Sequence, residues 1–499
     1  MRRPRSHSPF ECVPVETFTG DVTDAAASRP CWCCAPVVQA IQQRVDRDVS
    51  RRLFLGGAAA LLAPFRGAAG QAPAPGPPAP APRPLLLTNL RLFDGTSASI
   101  REGVAIRIEG NLIAALPGAG EAPGEARVID CGGRLAMPGL IDSHWHATLC
   151  AVPQIVALTA DVPYLHLIAA REAERTLLRG FTTVRDAGGP AFPLKRAIDE
   201  GIVAGPRIYP CGAMISQTSG HGDFRLRHEV PRGSMTPLAQ FETAGVAMIA
   251  DGEAEVLRRV REQLMLGASQ IKLMAGGGVA SPYDPLDSIQ YTEAELRAGV
   301  AAAADWGTYV MTHVYTPPGI QRAIRAGVKS IEHGQLADEE TVRMMAGEGI
   351  WWSLQPFLAD EDANIKEDPF GRAKQLEVAR GTERAYELVQ RFRVKTAWGT
   401  DILFSPSNLP NHARQLAKLT RFYDPLEVLR LATGNAGELL KLCGPRNPYP
   451  HDLGVIAPGA YADILIAEGD PARSLDFLTD PAAKLKLIMK NGRIHKDTL

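Results

Sequence analysis

The 499-residue sequence has almost no net charge, and this absence argues against several classes of protein. It contains 54 lysines and arginines against 55 aspartates and glutamates, which gives a net charge of −1. So balanced a charge indicates neither nucleic-acid binding nor attraction to an anionic membrane surface. The apolar run within residues 50–72 is too short and too rich in glycine for a spanning helix, so we expect no stable membrane insertion.

Cysteine is sparse and scattered, which argues against a disulfide framework. Of the eight cysteines, half precede residue 72 and half follow it: Cys12, Cys31, Cys33 and Cys34, then Cys131, Cys150, Cys211 and Cys443. The later four stand in mostly apolar surroundings and are predicted to be buried free thiols. The early cluster "CWCC" has no partner cluster downstream, so no metal site is assigned to it.

The first part of the chain is typical of an export signal followed by a spacer. Arg51 and Arg52 precede a moderately apolar run that ends in small residues, which resembles a twin-arginine signal. We therefore expect an N-terminal extension and signal over residues 1–72, a proline- and alanine-rich linker over 73–84, and a bacterial protein that is periplasmic or secreted. The alternative is a chance arginine pair before an alanine-rich linker, and a start codon assigned too far upstream would explain the residues before the signal.

The remaining chain separates into two kinds of pattern. Residues 85–136 and 450–499 both read as short strands, and together they predict one small β-sandwich built from both ends of the mature chain. Between them, residues 137–449 alternate eight apolar strands with helical stretches, which predicts an α/β fold with a (β/α)8 barrel. The predicted strand ends lie near His146, Arg185, Gly212, Met274, His313, His333, Gln355 and Asp401. A doubly wound open sheet is the alternative, but it would normally have a glycine-rich loop where this chain has histidines.

Two histidines end the first predicted barrel strand, in "MPGLIDSHWHATL" at residues 137–149. Because side chains alternate along a strand, His144 and His146 are predicted to point the same way and could close on one metal ion. Other predicted strand ends each carry an ionisable group, namely Lys272, His313, His333 and Asp401. Catalytic groups of such barrels gather at these ends, so a metal centre is predicted there.

Lys272 is the most informative of these groups, because a charged amine is costly to bury inside a strand. One interpretation is an edge lysine whose amine reaches solvent. The other is a neutral amine that takes up carbon dioxide to become a carbamate, whose oxygens would bridge two divalent cations. In that arrangement His144, His146 and Asp401 hold one ion, and His313 and His333 the other. Zinc is the default metal for so many histidines.

The order of these motifs resembles the metal-dependent amidohydrolase superfamily over about residues 85–499. The motifs that carry the resemblance are "MPGLIDSHWH", "TTVRDAGG", "SGHGD", "IKLMAGGGVASPYDPLDSIQYTEAEL", "HVYTPPGI", "SIEHG" and "GTD". They are most similar to the imidazolonepropionase and prolidase branch, which includes Xaa-Pro and related dipeptidases, N-acyl amino-acid carboxypeptidases and ochratoxinase. The resemblance implies that Lys272 is the carbamylated ligand and Asp401 the catalytic acid and base.

Four further residues are candidates for binding substrate, each with a structural alternative. His221 could bind substrate or the oxyanion, or merely order its loop. Tyr315 could donate to a substrate oxygen or simply pack. Arg185 is read as an ion pair with its neighbour Asp186, with substrate binding as the lesser option, and Tyr283 lies in a loop that should shape the pocket.

These features together predict a binuclear metal hydrolase for the amide bond of a dipeptide or an N-acyl amino acid, with ochratoxin A among the candidate substrates. A water shared by the two ions would be the nucleophile. The alternatives are a cyclic amidase or lactonase of the same superfamily and a non-catalytic barrel, which is disfavoured because every ligand position is filled. A small-molecule substrate and a homo-oligomer are expected.

Overall fold

A computed structural model of the chain describes residues 83–230 and 236–499. The predicted extension and twin-arginine signal over 1–72, and most of the predicted linker, lie outside the described residues. Among the described helices, none is both long enough and apolar enough to cross a membrane.

The described residues form seventeen strands and thirteen α-helices, numbered here in chain order. The strands are β1 Leu85–Leu92, β2 Arg101–Glu109, β3 Leu112–Ala115, β4 Arg127–Pro138, β5 Leu140–Trp145, β6 Phe181–Asp186, β7 Arg207–Tyr209, β8 Met214–Ser216, β9 Ala247–Ile249, β10 Ile271–Met274, β11 Val310–Val314, β12 Ser330–His333, β13 Trp351–Leu354, β14 Thr396–Trp398, β15 Ile464–Ala467, β16 Leu485–Lys490 and β17 Arg493–Asp497. The helices are α1 Gln154–Thr159, α2 Val162–Leu178, α3 Phe192–Asp199, α4 Gln240–Thr243, α5 Glu253–Met265, α6 Glu293–Asp305, α7 Pro317–Ala326, α8 Glu339–Gly347, α9 Pro369–Phe392, α10 His412–Ala417, α11 Pro425–Leu431, α12 Gly434–Leu440 and α13 Pro481–Lys484.

The two ends of the described chain share one β-sheet, in the order β17-β16-β15-β4-β1-β2-β3. Strand β4 joins the two ends, since it pairs in parallel with β1 and antiparallel with β15. Side chains from both ends meet in one apolar cluster that includes Leu87, Ile106, Ile464 and Leu487. Neither end has enough strands to bury such a cluster alone, so the sheet depends on both.

The middle of the chain has the predicted α/β barrel architecture, with parallel strands in two hydrogen-bonded groups. One group is β5-β6-β7, and the other is β14-β13-β12-β11-β10-β8-β9. The backbone N–H of Asp401, just after β14, donates to the His144 carbonyl oxygen in β5 at 2.8 Å and links the last barrel strand to the first.

The third barrel strand differs from its prediction, which ended it near Gly212. The chain breaks between β7 and β8, where Pro210 has no N–H to donate and Gly212 adopts a φ of 76°. Parallel pairing then resumes, and Ile215 in β8 pairs with Leu273 in β10. The strand therefore reaches Ser216.

Helices cover the barrel because their apolar residues recur on one face, and some of them are also capped by side chains. In α5, Val256, Val260 and Leu264 are spaced four residues apart and buried together. Helix α6 has Thr292 as its N-cap, and the side chains of Thr292 and Glu295 cap each other's backbone N–H groups.

The terminal sheet packs at the amino ends of the barrel strands. A Cβ on Gly180, just before β6, would lie 2.8 Å from the side chain of Leu485 in β16. Arg207, at the start of β7, pairs with Asp463 and donates to Asn491 Oδ1 at 2.9 Å. The carboxyl ends of the barrel strands are thereby left for the site.

The later four cysteines, Cys131, Cys150, Cys211 and Cys443, are free and buried, as predicted.

Candidate metal centre and active site

All six predicted metal ligands line one cavity at the carboxyl ends of the barrel strands, namely His144, His146, Lys272, His313, His333 and Asp401. The Nε2 atoms of His144 and His146 lie 3.5 and 3.1 Å from Asp401 Oδ1. The His333 ring centroid lies 4.8 Å from that of His144 and 4.4 Å from that of His313. Side chains separated by up to about 250 residues of sequence thus meet at one point.

The imidazoles are oriented as metal ligands require, with one ring nitrogen held by the protein and the other facing the cavity side. The Nδ1 atom is held in His144 by Glu332 Oε2 at 2.7 Å, in His146 by the Gly188 carbonyl at 2.9 Å, and in His333 by Gln355 Oε1 at 2.8 Å. His313 differs, since its Nε2 contacts the Gly277 carbonyl at 3.1 Å and its Nδ1 is left. Partners of this kind fix the tautomer and orientation of metal-binding histidines, so the residues present fit a metal centre.

One compact set of donor atoms is formed by His144, His333 and Asp401, which all lie within 4.8 Å of one another. This set differs from the predicted grouping, which assigned His144 and Asp401 to one metal ion and His333 to the other. Two of its members also carry backbone strain: His333 and Asp401 have φ angles of 73° and 53°. Such conformations are uncommon outside glycine and tend to occur at functional sites.

Electrostatics keep the donors in the protonation states that metal binding needs. Burial lowers the pKa of His144 and His313 well below the usual range and that of His333 to about 3, so the imidazoles are neutral. For Asp401, burial alone would raise the pKa, but His144 and the hydrogen bond to His146 together hold it below its ordinary value. The carboxylate is therefore ionised.

Lys272 lies in β10 with 1 % of its side chain exposed, so its amine does not reach bulk solvent as an edge lysine would. Burial lowers its pKa, although the negative charge of Glu332 opposes this effect. Both observations favour a neutral amine, which is the form that reacts with carbon dioxide.

Arg185 is fully buried and does not line the cavity. Its expected ion pair with Asp186 is wrong: the guanidinium instead binds both oxygens of Glu332 at 2.7 Å, while Asp186 accepts the backbone N–H of Ala147. Neighbouring strand residues point to opposite faces, which separates Arg185 from Asp186. Glu332, which the sequence reasoning passed over, thus joins Arg185 to His144.

The other candidates for substrate binding occupy different places. His221 lines the cavity, stacks on His313 with 4.0 Å between centroids, and contacts Ser281 Oγ through Nδ1 at 2.6 Å. Tyr315 also lines the cavity and packs against His313 and His333. Tyr283 is 41 % exposed and stands outside the lining.

Much of the remaining cavity wall comes from a segment after β13 for which no catalytic or binding role was predicted from the sequence. Residues 356–364 after β13, with Lys366 and Arg372, close one side of the cavity. The polar residues that follow the buried strand β13 are the sequence feature that could have indicated a place in the cavity wall.

Comparisons with known proteins agree with this geometry. The model of the Amidohydrolase family matches residues 135–495. The chain is 34% identical over 336 residues to ochratoxinase of Aspergillus niger, covering 66% of this chain and 68% of that protein. Among solved structures, an amidohydrolase matches with 37% identity and a TM-score of 0.75. A prolidase complexed with N-methylphosphonate-L-proline matches with 33% identity and a TM-score of 0.76. Both cover 83% of this chain and are covered completely.

Proposed function

This chain belongs to the amidohydrolase family, and we propose that it acts as a binuclear metal enzyme on the amide bond of a dipeptide or an N-acyl amino acid. The observation that carries the proposal is the convergence of four imidazoles, one carboxylate and one buried lysine on a single cavity. The names of the similar proteins, ochratoxinase and prolidase, support the substrate class.

His144, His146, His313, His333, Asp401 and a carbamylated Lys272 would hold two divalent ions, with zinc as the default metal. Ions in such a site lower the pKa of water and polarise the carbonyl that is attacked. A carbamate on Lys272 would supply a second anionic ligand beside Asp401, whereas an unmodified neutral amine would offer one lone pair and no charge.

Asp401 is the proposed catalytic acid and base. It is ionised, and its Oδ1 already contacts the metal-binding faces of two histidines, so it can accept a proton from the attacking water. The same carboxyl then gives the proton to the leaving nitrogen, which otherwise departs poorly. His221 and Tyr315, on the cavity wall, are placed to donate to a substrate oxygen.

The proposal is tested by metal content together with turnover on a panel of N-acyl amino acids, dipeptides, a cyclic amide and a lactone, with ochratoxin A included. We expect two metal ions per chain and a preference for the open-chain amides. Lys272→Ala should lose at least about a hundredfold in kcat, because the bridging ligand is removed. The exposed Lys329→Ala serves as the control and should match wild type.

Partial rescue of Lys272→Ala by short carboxylic acids would support the carbamate role. Wild-type turnover in this variant would contradict it. A protein that holds metal but prefers the lactone or the cyclic amide would replace the proposed substrate class.

A further inference from the structure

Two positive side chains on the cavity wall form no ion pair with any residue that the structure describes. Lys366, partly buried in the segment before α9, and Arg372, in the first turn of α9, both line the cavity that holds the metal ligands. Within residues 83–230 and 236–499, neither forms an ion pair. Arg372 Nη1 donates only to the amide oxygen of Gln375, at 2.8 Å.

The other charges around these two cations are already matched. Asp360 and Asp362, also in the lining, bind the ammonium of Lys418 at 2.8 and 2.9 Å, and Asp362 also pairs with Arg414 at 3.4 Å, so two cations match two carboxylates. The ammonium of Lys374, on the next turn of α9, donates to three backbone carbonyl oxygens. Asp368 caps α9 by accepting the N–H of Gly371 at 2.6 Å and lies outside the lining. Apart from the metal ligand Asp401, the wall therefore has an excess of positive charge.

We propose that Lys366 and Arg372 form the subsite for the free α-carboxylate of the amino acid that the reaction releases, an inference that rests on the proposed amide hydrolysis. An ammonium and a guanidinium are the side chains that bind carboxylates most strongly. A partly buried cation without a counter-charge is costly, and a substrate carboxylate would relieve that cost.

Of the residues first considered for substrate binding, only Arg185 carries a permanent positive charge, and it does not line the cavity. Arg185 is sealed beneath the cavity, and all its N–H groups are used. His221 already contacts Ser281 through Nδ1. Burial lowers the pKa of Lys366, and the charges of Asp401, in the metal centre, and of Asp368, at the start of α9, oppose that change without forming an ion pair. A ligand held there could place its neighbouring carbonyl at the metals, so that recognition also orients the substrate.

The test uses the metal-loaded enzyme and three substrates that share one scissile amide. The first carries its carboxylate on the leaving amino acid, the second has that group converted to the amide, and the third has its only carboxylate on the acyl side. Lys366→Met and Arg372→Met remove the charge but keep much of the side-chain length. Arg380→Met, an exposed cation on α9 outside the lining, is the matched control.

We expect the preference for the first substrate over the second, measured as the ratio of kcat/KM values, to fall about tenfold or more in each cavity variant, mainly through KM. Arg380→Met should keep the wild-type ratio. An unchanged ratio in both cavity variants would refute the subsite while leaving amide hydrolysis intact. A loss confined to the third substrate would equally overturn it, by placing the anion on the acyl side.

If wild type hydrolyses none of the three amides, the proposed function fails, and binding decides the subsite separately. Calorimetric titration of the first substrate and its amide then compares wild type with Lys366→Met. Weaker binding of the acid alone supports the subsite, whereas equal binding by both proteins refutes it.

Discussion

Replacing Arg185 by methionine should destabilise the protein more than most single substitutions. The guanidinium is fully buried and donates to the Ser143 carbonyl at 2.6 Å, to Tyr309 and Ser330 at 3.0 and 3.2 Å, and to both oxygens of Glu332 at 2.7 Å. Methionine fills similar space without a donor, so the main effect is a buried carboxylate that loses its cation. Breaking a buried pair in this way costs about 3–5 kcal/mol.

The coupling between the two partners can be separated from their individual costs by a double-mutant cycle. Glu332→Gln alone leaves the guanidinium without a counter-charge, whereas the double variant leaves neither charge behind. We expect the double variant to lose free energy of unfolding, but at least about 1.5 kcal/mol less than the summed losses of the two single variants. The exposed pair Arg258 and Glu255, 3.5 Å apart, is the control, and Arg258→Met should cost less than about 1 kcal/mol.

Urea unfolding of the metal-stripped proteins, followed by tryptophan fluorescence, measures these free energies without a contribution from metal affinity. The buried Trp352 and Trp398 report on the barrel. Costs that add within about 0.5 kcal/mol, or a loss below about 1 kcal/mol for Arg185→Met, would refute the reasoning.

Metal affinity gives a second, independent measurement on the same variants. Because His144 Nδ1 contacts Glu332 at 2.7 Å, Glu332→Gln should weaken metal binding about 10–100-fold. Arg185→Met keeps the contact between His144 and Glu332 and should therefore weaken metal binding less than Glu332→Gln does. Competition with a chelator decides the order, and the reverse order would contradict the positioning role of Glu332.

Three further predictions address chemistry, pH dependence and export. Asp401→Asn should retain at least one metal ion but lose activity, because an amide cannot carry the proton, and a kcat within a few-fold of wild type would assign the base elsewhere. Burial lowers the pKa of His412 to about 4, against its hydrogen bond with Asp142. The unfolded chain therefore binds a proton below pH 6.5 that the folded chain does not, so stability is full above pH 6.5 and falls towards pH 4. Between pH 7 and pH 5, the free energy of unfolding of His412→Gln should therefore fall by about 2 kcal/mol less than that of wild type. Urea unfolding midpoints at pH 7 and pH 5 would show this difference. Replacing Arg51 and Arg52 by lysine should leave the protein in the cytoplasm, and unchanged export on cell fractionation would refute the signal.

The strand-borne part of the site is predictable because strand geometry has a fixed rule. Side chains alternate, so the spacing of His144 and His146 predicts one shared direction, and their Nε2 atoms do lie on the same carboxylate oxygen. The same rule, applied to Arg185 and Asp186, would have ruled out the ion pair expected between them. The expected ion pair followed from the adjacency of Arg185 and Asp186 in the sequence, whereas the alternation of side chains along a strand separates them.

Long-range pairing is harder to predict, because no periodicity connects partners on different strands. Glu332 precedes a metal-binding histidine and so reads as part of that motif. Its role becomes visible only when β6 and β12 place it between Arg185 and His144. The break at Gly212 is similar: proline and glycine signal an interruption, but whether the strand resumes depends on its neighbour β10.

The contrast between strand geometry and long-range contacts also explains why the sequence predicts the metal centre better than it predicts the substrate preference. The candidate metal ligands lie on or just after strands whose direction and spacing are shared across the barrel, so a few residue types at regular places suffice to predict them. Lys366 and Arg372 lie in and after an irregular segment, where no period fixes the direction of a side chain. Their proposed role in binding a carboxylate follows only from the ion pairs of the folded cavity. Every other charged side chain of the wall has a partner there or belongs to the candidate metal centre. A chain could therefore keep this reaction and change its substrate by altering that segment alone.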